Sequence, residues 1–303
     1  MTIALTGSTG FVGQAVLDVA ARREQPIRAL ARRQQAAREL VEWVEGDLAK
    51  PDALAKLCDE VDAVIHVAGL TNSPDPADFE AANVTGTAAL IEAMKAKKIK
   101  RLVFVSSLSA REPELSAYGA SKAKAEKLVE ASGLDWTIVR PPGVYGPRDV
   151  DYLEMFRSAK LGVVPLPPRG ASSIIHVDDL ARLLLDLVDA SPALVRRQMF
   201  EPDDGREGGW SHSELAQAIG RAVGRRVFAP HLPKALMLAG ARVDRLLRGD
   251  KARLTPDRVG YMAHPNWVAR STRRVPAAVW EPRIEGEEGL RLTAEWYRKA
   301  ELI

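Results

Sequence analysis

The sequence predicts an α/β protein, a doubly wound parallel sheet followed by a smaller, mostly helical lobe, and three observations carry that prediction. Strand-like and helix-like segments alternate through the first half of the chain, the order that lays helices on both faces of a parallel sheet. Gly7, Gly10 and Gly13 stand between the first strand pattern and the first helix pattern. After Arg140 the texture changes: Pro141, Pro142 and Pro147, then Pro165, Pro167 and Pro168, interrupt any helix or central strand.

Short β-branched and aliphatic runs place strands at 3–6, 27–31, 41–44, 63–66, 102–105 and 136–139. Helical spacing fills the crossovers at 13–22, 52–58, 78–97 and 117–132. Beyond the proline-rich break, short strands at 174–175 and 199–200 fit the same main sheet, so the second lobe interleaves with the first. Helices are expected at 178–189, 213–223, 233–247 and 287–299.

Composition bounds the class. Of 303 residues, 46% are hydrophobic and 27% charged, as in an ordinary soluble enzyme. No run approaches the ~20 apolar residues of a membrane span, and Met1 leads straight into a strand pattern, which leaves no room for a signal peptide. A cytoplasmic location is expected. Cys58 has no cysteine partner and sits in a helical segment, so it reads as a buried, inert thiol. His66, His176, His212, His231 and His264 lack metal-ligand spacing, and no metal is expected.

Charge is uneven. Residues 221–274 hold thirteen Lys/Arg against Asp244, Asp250 and Asp257, a balance of +10 that leaves −7 for the rest of a chain with net charge +3. That suits a small-molecule substrate that is anionic. Nucleic acid is excluded as a partner, because zinc-finger spacing, an RNP-like aromatic signature and a recognition-helix pattern are all missing. Within the basic stretch, Leu236, Ala239, Val243 and Leu246 recur at helical spacing beside Lys234, Arg242, Arg245 and Arg248. The pattern suits an anionic membrane surface, but such a stripe ordinarily packs on its own domain, and no membrane partner is expected.

The chemistry-bearing motifs fall in order along the chain. Thr6-Gly7-Ser8-Thr9-Gly10-Phe11-Val12-Gly13 lies where a strand turns into a helix, and glycines there let the backbone approach a pyrophosphate at the helix N-terminus. Nineteen residues past Gly13, where an acid would take the adenosine ribose hydroxyls, stand Arg32 and Arg33. A guanidinium there pairs with a 2′-phosphate, so NADP(H) is expected in preference to NAD(H). Tyr118 and Lys122 form Tyr-x-x-x-Lys at the start of a predicted helix, and the i,i+4 spacing puts phenol and ammonium on one face. A neighbouring cation favours the phenolate of a group whose unperturbed pKa is about 10. Ser106, Ser107 and Ser109 follow the fifth strand; Ser106 reads as structural and Ser109 as a pocket residue.

These motifs together resemble the extended short-chain dehydrogenases/reductases, a Rossmann-type superfamily whose glycine turn is T-G-x-x-G-x-x-G. The resemblance implies residues 1–146 as the dinucleotide-binding domain and 147–303 as the substrate lobe. It assigns Gly7, Thr9, Gly10, Phe11, Val12 and Gly13 to the cofactor cradle, and Ser107, Tyr118 and Lys122 to catalysis, with Tyr118 and Lys122 also touching the cofactor. Gly46-Asp47-Leu48 resembles the family's G-D-L/V, which implies Asp47 and Leu48 beside the adenine. His66-Val67-Ala68-Gly69 resembles H-x-A-A/G, which implies backbone contacts from Val67, Ala68 and Gly69, with His66 structural. Asn83, in a segment like N-V-x-G-T, either helps hold the lysine through water or caps or bends its helix. Arg140 to Pro147 resembles R-P-x-x-V-Y-G-P, which lays Pro141, Gly143 and Val144 along the nicotinamide. His176-Val177-Asp178-Asp179 resembles H-V-D-D, whose aspartates read most simply as helix caps.

One departure bears on substrate. Ser107 and Tyr118 are eleven positions apart, and Ser109-Ala110-Arg111 stands where sugar-nucleotide members carry V-Y-G. The shortening resembles an atypical branch that includes reductases and the accessory subunit of respiratory complex I that holds NADPH. The resemblance therefore implies an NAD(P)-dependent oxidoreductase acting on a carbonyl or alcohol carbon. A nucleotide-sugar epimerase or dehydratase, and a non-catalytic NADPH-holding assembly protein, remain alternatives.

Overall fold

Seven parallel strands form the main sheet in the order β10-β6-β5-β4-β1-β2-β3, with β1 (Ile3–Thr6), β2 (Ile27–Ala31), β3 (Val41–Glu45), β4 (Ala63–His66), β5 (Arg101–Val105), β6 (Asp135–Val139) and β10 (Gln198–Phe200). This is a Rossmann-type doubly wound sheet: the strand order reverses between β1 and β4. Central β1 and β4 are buried along their whole length, and each opens on three apolar residues, Ile3-Ala4-Leu5 and Ala63-Val64-Ile65, before a buried polar end at Thr6 or His66. β3 sits at an edge, with Glu42 and Glu45 exposed. The computed structural model describes residues 1–249, 252 and 254–303. Asp250, Lys251 and Arg253, which belong to the basic stretch counted above, lie outside the described residues.

Helices α1 (Phe11–Arg22), α2 (Pro51–Leu57), α3 (Pro76–Phe79), α4 (Gly86–Ala96) and α5 (Ala117–Ala131) fill the crossovers. One face of the sheet buries Leu30, Val64, Leu102, Phe104 and Ile138 against Leu54, Leu57, Leu90, Met94 and Val129 of these helices. Cys58 lies in this core, and burial pushes its thiol up to about 11. Between α3 and α4, Glu80–Thr85 is π-helical.

Two units make up the chain: Met1–Arg140 with Leu180–Phe200 and Val275–Trp280, and Pro141–Asp179 with Glu201–Arg274 and Glu281–Ile303. The junction falls at Arg140-Pro141, before the Gly146 read from sequence. Arg140 still closes the main sheet, its N–H donating to Phe200 O at 2.8 Å; neither Pro141 nor Pro142 has an N–H to continue that ladder.

Residues 174–175 do not join the main sheet as expected. Strand β9 (Ile174–His176) pairs in parallel with β7 (Gly143–Tyr145) as a separate two-stranded sheet, because the chain has left the ladder at the prolines; only the 199–200 segment joins it, as part of β10. The second unit adds β8 (Ala171–Ser172), β11 (Trp210–Ser211) and β12 (Asn266–Trp267) as a small three-stranded sheet. Its helices α6 (Asp151–Lys160), α9 (His212–Val223) and α12 (Gly286–Lys299) bury Phe156, Ile219 and Leu290 together, with the Phe156 and Tyr297 rings edge-on at 5.2 Å. Helix α7 (Val177–Asp189) follows β9, α8 (Pro192–Val195) precedes β10, and α10 (Lys234–Arg248) packs on α11 (Pro256–Met262) through Met237, Ala241 and Val259.

Of the two aspartates read as helix caps, Asp179 also has partners far along the chain. Its buried carboxylate accepts the backbone N–H groups of Arg283 and Ile284, at 2.8 and 2.9 Å, tying a distant loop to the start of α7. The acceptor for the N–H of Asp178 is instead the ring Nδ1 of His176, at 3.2 Å.

Candidate cofactor and catalytic site

In parallel strands all C-terminal ends lie on one edge of the sheet, and ligands bind there where the strand order reverses. Gly7 follows β1, Arg32 and Arg33 follow β2, Asp47 follows β3, Val67 follows β4 and Ser107 follows β5. Topology alone therefore gathers these residues at one rim.

The glycines of the turn are required sterically. Gly7 has φ +72°, and a Cβ on it would come 2.6 Å from the backbone nitrogen of Ala68; a Cβ on Gly13 would collide with the carbonyl of Gly7. Gly10 caps α1 with no side-chain hydrogen bond, and the first turn holds no acid, so the positive end of this helix is left to an external anion. Thr9 and Gly10 are exposed, Phe11 and Val12 half-buried.

Arg32 and Arg33 are exposed, and neither guanidinium has an ion-pair or hydrogen-bond partner among the described residues. Nearby arginines differ: Arg28 pairs with Glu42 at 2.8 Å and Arg38 with Asp18 at 2.7 Å. Half-buried Asp47 uses one carboxylate oxygen to accept the N–H of Ala49, at 2.9 Å, and Leu48 packs on the core beside Gly86.

His66 is locked into the scaffold. Thr87 Oγ1 donates to the carbonyl of Asn83 at 2.6 Å and so accepts from His66 Nε2 at 2.9 Å. That leaves Nδ1 to accept from Thr6 Oγ1 at 2.6 Å, and Thr6 in turn accepts the N–H of Ala68 at 3.2 Å. The chain of donors closes only with a neutral ring, and burial first, then Lys122, pushes the imidazole down to about 3. This fixes the backbone of Val67 and Ala68 against the glycine turn.

Asn83 lies in the π-helical segment. It accepts from Leu70 N–H at 2.7 Å and donates to Leu70 O at 3.0 Å and to Ser121 Oγ at 2.9 Å. Ser121 Oγ then donates to Tyr118 O at 2.7 Å. Asn83 thus ties the loop after β4 to the first turns of α5, and a Cβ on Gly69 would lie 3.0 Å from its Oδ1 and 3.7 Å from Lys122 Nζ. Ser121, buried inside the Tyr-x-x-x-Lys segment, carried no separate signal in the sequence.

Lys122 is buried, donates to the carbonyl of Val105 at 2.7 Å and lies 4.6 Å from the Phe104 ring centroid. An ammonium has three donors, and the other two have no partner among the described residues. Burial pulls its pKa down to about 8, against the opposing field of Glu126. Glu126 is itself engaged, accepting from Ser106 Oγ and bidentately from Arg140 at 2.8 and 2.6 Å. Ser106 therefore faces the structural network, and Ser107 turns the other way, as alternation along a strand requires. Ser107 Oγ and Ser109 Oγ are 2.6 Å apart. Tyr118, half-buried on the first turn of α5, has its ring 6.0 Å from that of Phe79; Ser116 caps the helix by accepting the Gly119 N–H at 2.9 Å.

Pro141, Gly143 and Val144 belong to the second unit. Gly143 and Val144 lie on β7, where a Cβ on Gly143 would collide with the hydroxyl of Tyr152. Among the described residues, no group of three or more His, Cys, Asp or Glu is placed to hold a metal ion, and no helix is long and apolar enough to cross a membrane.

A parallel sheet with a glycine turn at its switch point defines a dinucleotide-binding α/β protein. The chain belongs to the NAD(P)H-binding family, whose model matches residues 7–191. It is 34% identical to a ceramide reductase of Caulobacter vibrioides over 98% of this chain and 95% of that protein. It is 29% identical to a 2-alkyl-3-oxoalkanoate reductase of Stenotrophomonas maltophilia, over 96% and 98% of the two chains. The fold is also that of the UDP-glucose 4-epimerase of Thermus thermophilus in complex with NAD, with a TM-score of 0.71, 21% identity and coverage of 99% and 100%.

Proposed function

We propose that this protein is an NADPH-dependent ketone reductase acting on a long-chain, lipid-like substrate. The observation that carries the reading is end-to-end similarity to a ceramide reductase; the oxoalkanoate reductase supports it, since its name joins an oxo group to hydrocarbon chains. The residues fit the cofactor: an uncapped helix start behind a glycine turn for the pyrophosphate, two unpaired arginines for the 2′-phosphate, and a buried ammonium with donors to spare for ribose hydroxyls. Bound there, the nicotinamide would supply a hydride to the carbonyl carbon. Ser107 donates a hydrogen bond to the carbonyl oxygen, and Tyr118 delivers the proton that completes the alcohol. Lys122 holds the ribose and favours the phenolate left on Tyr118. Asp47, Leu48 and the backbone of Val67, Ala68 and Gly69 line the adenine and pyrophosphate course. Asn83 is a positioning residue: it fixes α5 through Ser121 rather than touching the cofactor.

The test is NADPH oxidation with 3-oxo lipids of increasing chain length, beside short ketones and UDP-glucose. Turnover that rises with chain length is the expected result. NADPH binding with no oxidation by any 3-oxo lipid would favour the assembly-protein reading, and conversion of UDP-glucose the epimerase reading.

Cofactor choice has its own measurement. The double substitution Arg32→Ala, Arg33→Ala should weaken NADPH by at least the about 1.5–3 kcal/mol of one charged hydrogen bond, roughly 10- to 150-fold, and leave NADH within a few-fold. Titration by cofactor fluorescence reads both, and equal losses would refute the 2′-phosphate assignment.

A further inference from the structure

The expectation that the α10 stripe packs on its own domain is reversed. Leu246 and Leu247 are 86% and 80% exposed, and Leu236, Ala239 and Val243 are exposed as well. At 3.6 residues per turn, positions 236, 243 and 247 share one narrow arc of the helix, with 239 and 246 at its margin, while Met237 and Ala241 face the other way against Val259. The sequence shows two apolar faces on this helix, and packing on α11 uses the one built from Met237 and Ala241.

A second apolar group lies in the same unit. Leu161, just past α6, is 85% exposed, and Phe228 70%. Exposed Val163 is paired with Phe228 in a parallel bridge, with Phe228 N–H donating to Gly162 O at 2.8 Å and Val164 N–H to Phe228 O at 2.9 Å. The bridge sets their side chains on the same side.

Cations accompany both groups. Lys160, Arg225 and Arg226 flank the Phe228 bridge in sequence, and Lys234, Arg242 and Arg245 lie on α10; all six are exposed, with no ion-pair or hydrogen-bond partner among the described residues. Other arginines of this unit are matched: Arg221 with Glu287, Arg248 with Asp244 and Arg258 with Asp151. The single acid of α10, Asp244, is occupied by Arg248 and the N–H of Leu254. Leucines protruding from a helix and a turn, among unpaired long cations, match a fluid anionic interface, where apolar side chains insert and ammonium or guanidinium heads meet phosphates.

We propose that the second unit docks on an anionic lipid bilayer through the outer face of α10 and the turn formed by Leu161, Val163 and Phe228. The proposal stands on this surface and does not require the reductase reading. It is tested by co-sedimenting the full-length protein with vesicles of phosphatidylcholine alone and of equal parts phosphatidylcholine and phosphatidylglycerol. Pelleting with the mixed vesicles only, reversed by salt, is expected. Leu246→Asp with Leu247→Asp should weaken binding at least about tenfold, and Arg225→Ala with Arg226→Ala by roughly fivefold per cation. NADPH affinity and thermal melting are measured alongside, and should stay at parental values because all four residues are exposed. Parental protein left in the supernatant with the mixed vesicles would overturn the proposal, as would variants that pellet like the parent. So would a concentration-dependent dimer, dispersed by the leucine pair, in protein that ignores vesicles; that result assigns the face to a second copy of the chain.

Discussion

Tyr118→Phe is expected to lower turnover by about 10²–10⁴-fold, the usual contribution of a positioned general acid or base, while NADPH affinity stays within a few-fold of parental. The hydroxyl is the one group deleted. The ring keeps its place on the first turn of α5, whose start is held by the Ser116 cap and by the Ser121 hydrogen bond to the Tyr118 carbonyl, and its packing near Phe79 involves carbon. The pyrophosphate cradle of Gly7, Gly10 and Gly13 belongs to another element and is untouched. Ser107→Ala should reduce turnover less, because Ser109 Oγ lies 2.6 Å from Ser107 Oγ and offers a second donor to the same region. Single-turnover oxidation of bound NADPH, with cofactor binding measured separately, distinguishes these effects. A Tyr118→Phe protein that turns over at the parental rate would mean that the proton comes from elsewhere.

The sequence was legible where one physical requirement dominates. β2 and β4 were readable to the residue because short aliphatic runs, Ala29-Leu30-Ala31 and Ala63-Val64-Ile65, mark their buried positions, and the glycine turn because no side chain fits beside Ala68 or the Gly7 carbonyl. Legibility failed where tertiary partners decide. Strands β8, β11 and β12 are two residues long and have no period to read. The segment Glu80–Thr85 looks like ordinary helix; its π-helical turn accompanies Asn83 bonds to Leu70 and Ser121, partners remote in sequence. The buried Ser106, Glu126 and Arg140 network joins a strand end, a helix and the exit from the main sheet, and no local pattern announces it. On α10 the period gave the helix but not its buried side, since Met237 and Ala241 are as apolar as Leu236 and Val243.

Lys122→Met is expected to weaken NADPH by roughly 10- to 150-fold, from loss of about 1.5–3 kcal/mol of charged hydrogen bonding to the ribose, and to lower turnover by about two orders of magnitude or more through the phenol it no longer activates. A merely structural lysine would share the pH dependence of stability, but not the alkaline fall in NADPH affinity. Burial holds this ammonium down at about 8, below its ordinary 10.5, with Glu126 acting against the shift; of the neighbouring titratable groups, His66 stays neutral and Glu126 is paired with Arg140. Because the folded pKa is depressed, the folded chain releases this proton first. Between about 8 and 10.5 the unfolded state binds more protons, so the contribution of Lys122 to stability rises with pH across that window and is constant and unfavourable below it. Urea unfolding of parent and Lys122→Met on both sides of the window should therefore show the parent gaining on the variant as pH rises. Cofactor binding runs the opposite way, since the ammonium that holds the ribose is lost above about 8. NADPH affinity of the parent should fall on the alkaline side with a midpoint near that value, and the methionine variant should lack the fall. An alkaline decline that survives in Lys122→Met would assign the titration to another group.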